Sequence, residues 1–96
     1  MIIVAGALFV AAQERERYLG IVAGVTPQAR ATAGCLDFVQ AADPVDPARI
    51  NVYERWESDE ALLAFRGSGD FGAEAETPDL TGADVRKYRI SAVEAP

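Results

Sequence analysis

IIVAGALFVA, Ile2 to Ala11, carries no charge and no hydrogen-bonding side chain. It is rich in Ile, Val and Phe, which favours an extended strand. In a strand, residues two apart share a face. One face is then Ile2, Val4, Gly6, Leu8 and Val10, and the other is Ile3, Ala5, Ala7, Phe9 and Ala11. Both are apolar, so this strand needs cover on both sides. It has no basic segment before it and is too short to span a bilayer as a helix.

Outward from this strand the pattern changes period. Gln13 to about Gly24 reads as a helix, with Glu14, Arg15, Glu16 and Arg17 at a polar start and Tyr18, Val22 and Val25 at helical spacing. Thr26 reads as an N-cap and Pro27 as a first helical residue, so the helix is expected to restart there and run to about Thr32 before Gly34. Cys35–Ala41 and Arg49–Glu57 read as strands joined across Asp43-Pro44-Val45-Asp46-Pro47. Ser58 caps a second helix with Asp59 and Glu60 in its first turn, and Ala61, Leu62 and Phe65 form its inward side. Residues 67–82 read as an acidic, glycine-rich loop, and Asp84–Val93 as the last strand.

The order β-α-β-β-α-β is ferredoxin-like α+β, an antiparallel four-stranded sheet with helices on one face. Residues 1–96 are expected to form a single domain. The helices cover one face of the central first strand and leave the other bare. The expected second cover is another copy of the sheet, giving a homodimer.

Composition narrows the chemistry. The net charge is −6, from 15 acidic and 9 basic residues, which disfavours nucleic acid or an anionic membrane as the main partner. Cys35 is the only cysteine, so no intrachain disulfide can form, and this fits a reducing cytoplasm. The chain has no histidine, so the commonest general base and metal ligand are absent. No metal or cofactor is expected: the carboxylates Asp43, Asp46, Asp79 and Asp84 lack the spacing of a calcium loop. Gly67-Ser68-Gly69-Asp70-Phe71-Gly72 matches G-x-G-x-x-G, but it follows a helix and precedes acidic residues, the wrong setting for a pyrophosphate. Cys35, at a strand entry, reads as core rather than nucleophile.

The third strand carries the remaining signal. Ile50, Val52, Glu54 and Trp56 share one row, in which Glu54 is the only carboxylate. Gly34-Cys35-Leu36, then Val52-Tyr53-Glu54-Arg55-Trp56-Glu57-Ser58 with Glu60-Ala61-Leu62 following, resembles the antibiotic biosynthesis monooxygenase domain family. The resemblance implies a dimeric α+β barrel with a small apolar pocket between sheet and helices. It also implies one of several activities: cofactor-free oxidation of anthrones or quinols, haem degradation, or isomerisation. Haem-degrading relatives carry Asn, Trp and His at positions that are Ala5, Phe65 and Ala75 here, which argues against that activity. Polyketide-oxidising relatives carry Asn four residues before the strand tryptophan and Tyr six after it. Trp56 is kept here, but those two positions are Val52 and Leu62, and histidine positions of other members are Phe65 and Asp70.

Two functions follow from these residues. In the first, a cofactor-independent monooxygenase acts on a small aromatic quinol or anthrone, with Glu54 as base. Its pocket is formed by Val52, Trp56, Leu62, Phe65 and Phe71, and Tyr53 or Tyr88 orients a hydroxyl. In the second, the chain is a small-molecule-binding or stress-response accessory dimer without chemistry. A structural Glu54 is expected to pair with Arg86 or Arg89.

Overall fold

The computed structural model describes residues 1–67 and 77–96. Phe71, Asp70 and Ala75, and the central part of the 67–82 loop, lie outside the described residues. The strands are β1 (Ile2–Val10), β2 (Cys35–Ala42), β3 (Arg49–Trp56) and β4 (Leu80–Arg89). The helices are α1 (Arg15–Val22), α2 (Val25–Arg30) and α3 (Asp59–Gly67), with a 3-10 turn at Ala12–Glu14 leading into α1. The sheet order is β2-β3-β1-β4, with every pairing antiparallel. This is the ferredoxin-like α+β arrangement, with β1 central as its apolar composition requires.

Register fixes the two faces. Ile2 lies opposite Trp56, Val4 opposite Glu54, Gly6 opposite Val52 and Leu8 opposite Ile50. These residues face the helices, and the main core there is Ile2, Val4, Ala29, Phe38, Trp56, Leu62 and Phe65. A smaller cluster of Val10, Tyr18 and Ile50 lies under α1. The opposite sheet face presents Ile3, Ala5 and Phe9 of β1, with Ala7 buried among its neighbours, Tyr53 and Arg55 of β3, and Arg86 and Tyr88 of β4. No described helix covers that face, and Tyr88 is 50% exposed.

Several boundaries differ from the sequence reading. The helix does break before Pro27, but α2 starts at Val25 with Gly24 in the N-cap position. Thr26 therefore lies inside the helix, and no side chain caps it. The break falls at Ala23–Gly24, although both residues keep helical backbone angles. The last strand starts at Leu80 rather than Asp84 and ends at Arg89, because β1 offers paired backbone along its whole length. The other strand ends shift by a single residue.

Two glycines mark close approaches. Gly6 has φ 148°, and a Cβ there would overlap the Asp84 carbonyl oxygen on β4. Gly34 has φ 85°, and a Cβ there would overlap the Ala61 Cβ of α3. Gly34 also accepts the Glu57 N–H at 2.8 Å, tying the start of β2 to the end of β3.

The β2–β3 connection is locked by Asp43. Its Oδ2 accepts the N–H groups of Val45 (3.0 Å) and Asp46 (2.8 Å), and its Oδ1 accepts Asn51 Nδ2 (2.9 Å). Arg15 of α1 donates Nη1 to the carbonyl of Asp46 at 2.8 Å and to those of Asp43 and Arg49 at 3.3 Å. One guanidinium thus satisfies three turn carbonyls and clamps α1 to the hairpin.

Candidate functional site

The site grows from the helix-facing row of β3. Period-two geometry puts Ile50, Val52, Glu54 and Trp56 on that face, and all four are buried. Apolar residues belong there; a carboxylate costs free energy unless something answers it. Glu54 is 8% exposed, flanked by Val4 on β1 and Phe38 on β2.

The answering group is on the same strand. Trp56 Nε1 donates to Glu54 Oε1 at 3.1 Å. The expected pairing with Arg86 or Arg89 is not formed. Arg86 sits on the other face and bonds Asp84 at 3.2 Å. Arg89 and Lys87 both reach Asp59 at the start of α3, at 2.9 and 3.1 Å. Asp59, only partly buried at the first turn of α3, is the easier partner because pairing there buries the charges far less than pairing with Glu54 would. Burial pushes the Glu54 carboxyl above its usual range, against the opposing pull of the Trp56 hydrogen bond and the Arg66 charge. Its second oxygen has no hydrogen bond among the described residues.

Aromatic rings wall this carboxylate. Trp56 is fully buried, with its ring centroid 5.1 Å from that of Phe65. Phe65 meets Phe38 edge-on at 5.8 Å. Leu62, from the same face of α3, joins the cluster. The structure thus brings together Trp56, Leu62 and Phe65 of the residues singled out by sequence, with Glu54 at their edge. Val52 is buried in the same row but belongs to neither core cluster. Phe71 lies outside the described residues. Tyr53 and Tyr88 share the opposite sheet face, away from Glu54. Phe38 is the residue that sequence reading passed over. Its signal was the alternation of β2, which puts Phe38 and Gln40 on the helix side. No open cavity is enclosed by the described residues.

Cys35 packs against the core with its Sγ–H directed at the Asp37 carbonyl (3.5 Å). Burial, then the nearby Asp37 charge, raises its thiol pKa, which is the setting of an inert cysteine. Among the described residues no three Cys, Asp or Glu side chains converge to hold a metal ion. No described helix is long and apolar enough to cross a membrane.

Known folds share this layout. A candidate antibiotic biosynthesis monooxygenase from Deinococcus radiodurans superposes with a TM-score of 0.80 at 18% identity, covering 100% of this chain and 98% of its own. One from Nitrosomonas europaea gives 0.80 at 14% identity, covering 96% and 100%. The heme-degrader MhuD from Mycobacterium tuberculosis, with two hemes in its active site, gives 0.71 at 22% identity, covering 99% and 100%. At these identities the likeness is one of fold. Comparison with curated proteins returns no match. The sequence profile described as antibiotic biosynthesis monooxygenase matches residues 1–77, which span β1 through α3 and the whole Glu54–Trp56 row. With that profile covering most of its length, the chain belongs to the antibiotic biosynthesis monooxygenase family.

Proposed function

We propose that this protein is a cofactor-independent monooxygenase acting on a small aromatic substrate of the quinol or anthrone class. The observation that carries the reading is Glu54: a buried carboxylate of raised pKa, with one oxygen held by Trp56 and the other without a hydrogen bond among the described residues, beside a wall of aromatic rings. A base of this kind takes a proton from an acidic C–H or O–H more readily than an exposed carboxylate does. For an anthrone, the methylene proton goes to Glu54. The resulting anion gives one electron to dioxygen, and the carbon radical and superoxide combine into a C–O bond. The peroxide anion so formed takes the proton back from Glu54, and the hydroperoxide then loses water to leave a carbonyl. Trp56, Phe65 and Phe38 form a closed apolar wall that keeps water from one side of Glu54.

Haem degradation fits this chain less well, because Ala5 and Phe65 stand where haem-degrading relatives need Asn and Trp. The family relation is to proteins of both kinds, and the residues favour the haem-free one. Under this reading residues 1–96 act as one domain in the cytoplasm. Two copies pack their uncovered sheet faces through Ile3, Ala5, Ala7, Phe9, Tyr53 and Tyr88, because an apolar central strand needs cover on both sides. The second reading is a ligand-binding accessory dimer without chemistry. The apolar Val52 and Leu62, at positions where oxidising relatives have polar groups, favour it.

Oxygen uptake with anthrones and quinols, without added metal or flavin, tests the choice. The oxygenase reading expects turnover that Glu54→Gln abolishes while ligand quenching of Trp56 fluorescence persists. Quenching without uptake in the wild type supports the accessory, and uptake unaffected by Glu54→Gln removes Glu54 as the base.

A further inference from the structure

Trp56 is the chain's only tryptophan, is fully buried, and spends its one polar group on Glu54. A neutral indole N–H is a very weak acid. Removal of one electron makes it an acid of carboxylic strength. A carboxylate already accepting that N–H at 3.1 Å can take the proton as the electron leaves, with little motion of heavy atoms. The alternative product, an indole cation in an apolar core, costs far more. Proton transfer also turns the buried carboxylate into a neutral acid, so oxidation removes a charge from the core rather than adding one.

We infer that Glu54 and Trp56 form a one-electron oxidation site, in which a peroxyl-class organic radical takes an electron from the indole while the indole proton passes to Glu54. The radical becomes a hydroperoxide anion, the indole a neutral indolyl radical and Glu54 a carboxylic acid, so charge and electrons balance. The N–H bond breaks and the O–H bond to Glu54 forms. Phe65 at 5.1 Å and the surrounding Ile2, Leu62 and Phe38 keep water from the indolyl radical. The site does not depend on the oxygenase reading, since any oxidant of this class within tunnelling reach could use it.

Flash-quench oxidation with a ruthenium tris-bipyridine complex tests it, read by transient absorption and electron paramagnetic resonance in mildly alkaline buffer that keeps Glu54 ionised. The wild type is expected to give a neutral indolyl radical, formed more slowly in heavy water. Trp56→Phe should remove the indole signal. Glu54→Gln keeps an acceptor oxygen but takes no proton; it should form the radical roughly tenfold more slowly and as the cation. The same neutral radical at the same rate in Glu54→Gln would overturn the assignment. So would a wild-type signal confined to tyrosyl radicals, or wild-type kinetics unchanged in heavy water. The heavy-water comparison needs only the wild type, so it decides the matter even if a variant fails to fold.

Discussion

At the scale of single residues, Glu54 sets up a conflict between burial and charge. Its carboxyl pKa lies above the ordinary 4.5, because burial outweighs the Trp56 hydrogen bond and the Arg66 charge. The folded state therefore holds the proton more tightly than the unfolded chain does. The Glu54 contribution to stability is greatest below pH 4.5, is lost as pH rises through the raised pKa, and is flat above it. Glu54→Gln removes the charge and keeps an oxygen for Trp56 Nε1. At neutral pH it is expected to stabilise the protein by about 1 kcal/mol, or roughly 4–8 °C in Tm for a domain of this size. At pH 4 and below the two proteins should melt together. Thermal melts across this range check the sign, and a neutral-pH loss of stability in the variant would mean that the charged hydrogen bond outweighs desolvation. A part of this was legible in sequence: alternation alone placed Glu54 in an apolar row. Its partner was not, because the arginines on the last strand looked equally available. Which charge Arg89 meets is set by where α3 starts above the sheet, a matter of packing between elements distant in the chain.

Elements are held to one another by few groups, and two of these are testable. Asp43 makes the β2–β3 turn, and its pKa is lowered to about 2, first by the Asp46 N–H, then by Asn51 and the Val45 N–H. A depressed carboxylate stabilises the fold above its unfolded value of 3.8 and loses that contribution as pH falls through about 2. Asp43→Ala is expected to melt several degrees lower at neutral pH, with the gap closing between pH 4 and pH 2. Melts of both proteins in that window give the answer. Gly34→Ala tests a different contact. It places a Cβ against Ala61 at a backbone conformation that L side chains rarely adopt, so it should cost on the order of 1–3 kcal/mol. A smaller loss in chemical denaturation would mean that α3 can slide on the sheet. The asparagine at 51, two residues from Tyr53, faces away from Glu54 as alternation predicts, and it serves the turn through Asp43.

For the molecule as a whole, the uncovered sheet face is where the proposed assembly is tested. Its centre is the odd row of β1, Ile3, Ala5, Ala7 and Phe9, and its flanks include Tyr53, Tyr88, Arg55 and Arg86. The proposed homodimer buries this face. Light scattering at micromolar concentration should therefore give twice the 10.3 kDa chain mass, and Phe9→Asp with Tyr53→Asp should shift the protein to monomer or aggregate. A wild-type monomer would refute the dimer and leave the apolar face unexplained.

The amino-acid sequence by itself determined the order of strands and helices, the central place of the first strand, the hairpin at Asp43–Pro47, and the row in which Glu54 lies. These depend on local periodicity and on the fixed conformations of glycine and proline, which a linear reading carries. Only the tertiary structure decided that Trp56 answers Glu54, that Phe38 joins the aromatic wall, that Asp59 gathers Lys87 and Arg89, and that Arg15 clamps a turn 28 to 34 residues away. Each of these joins groups whose approach depends on how separate elements stack. Partner choice among several available charges follows from distance and burial, and neither quantity exists until the chain has folded.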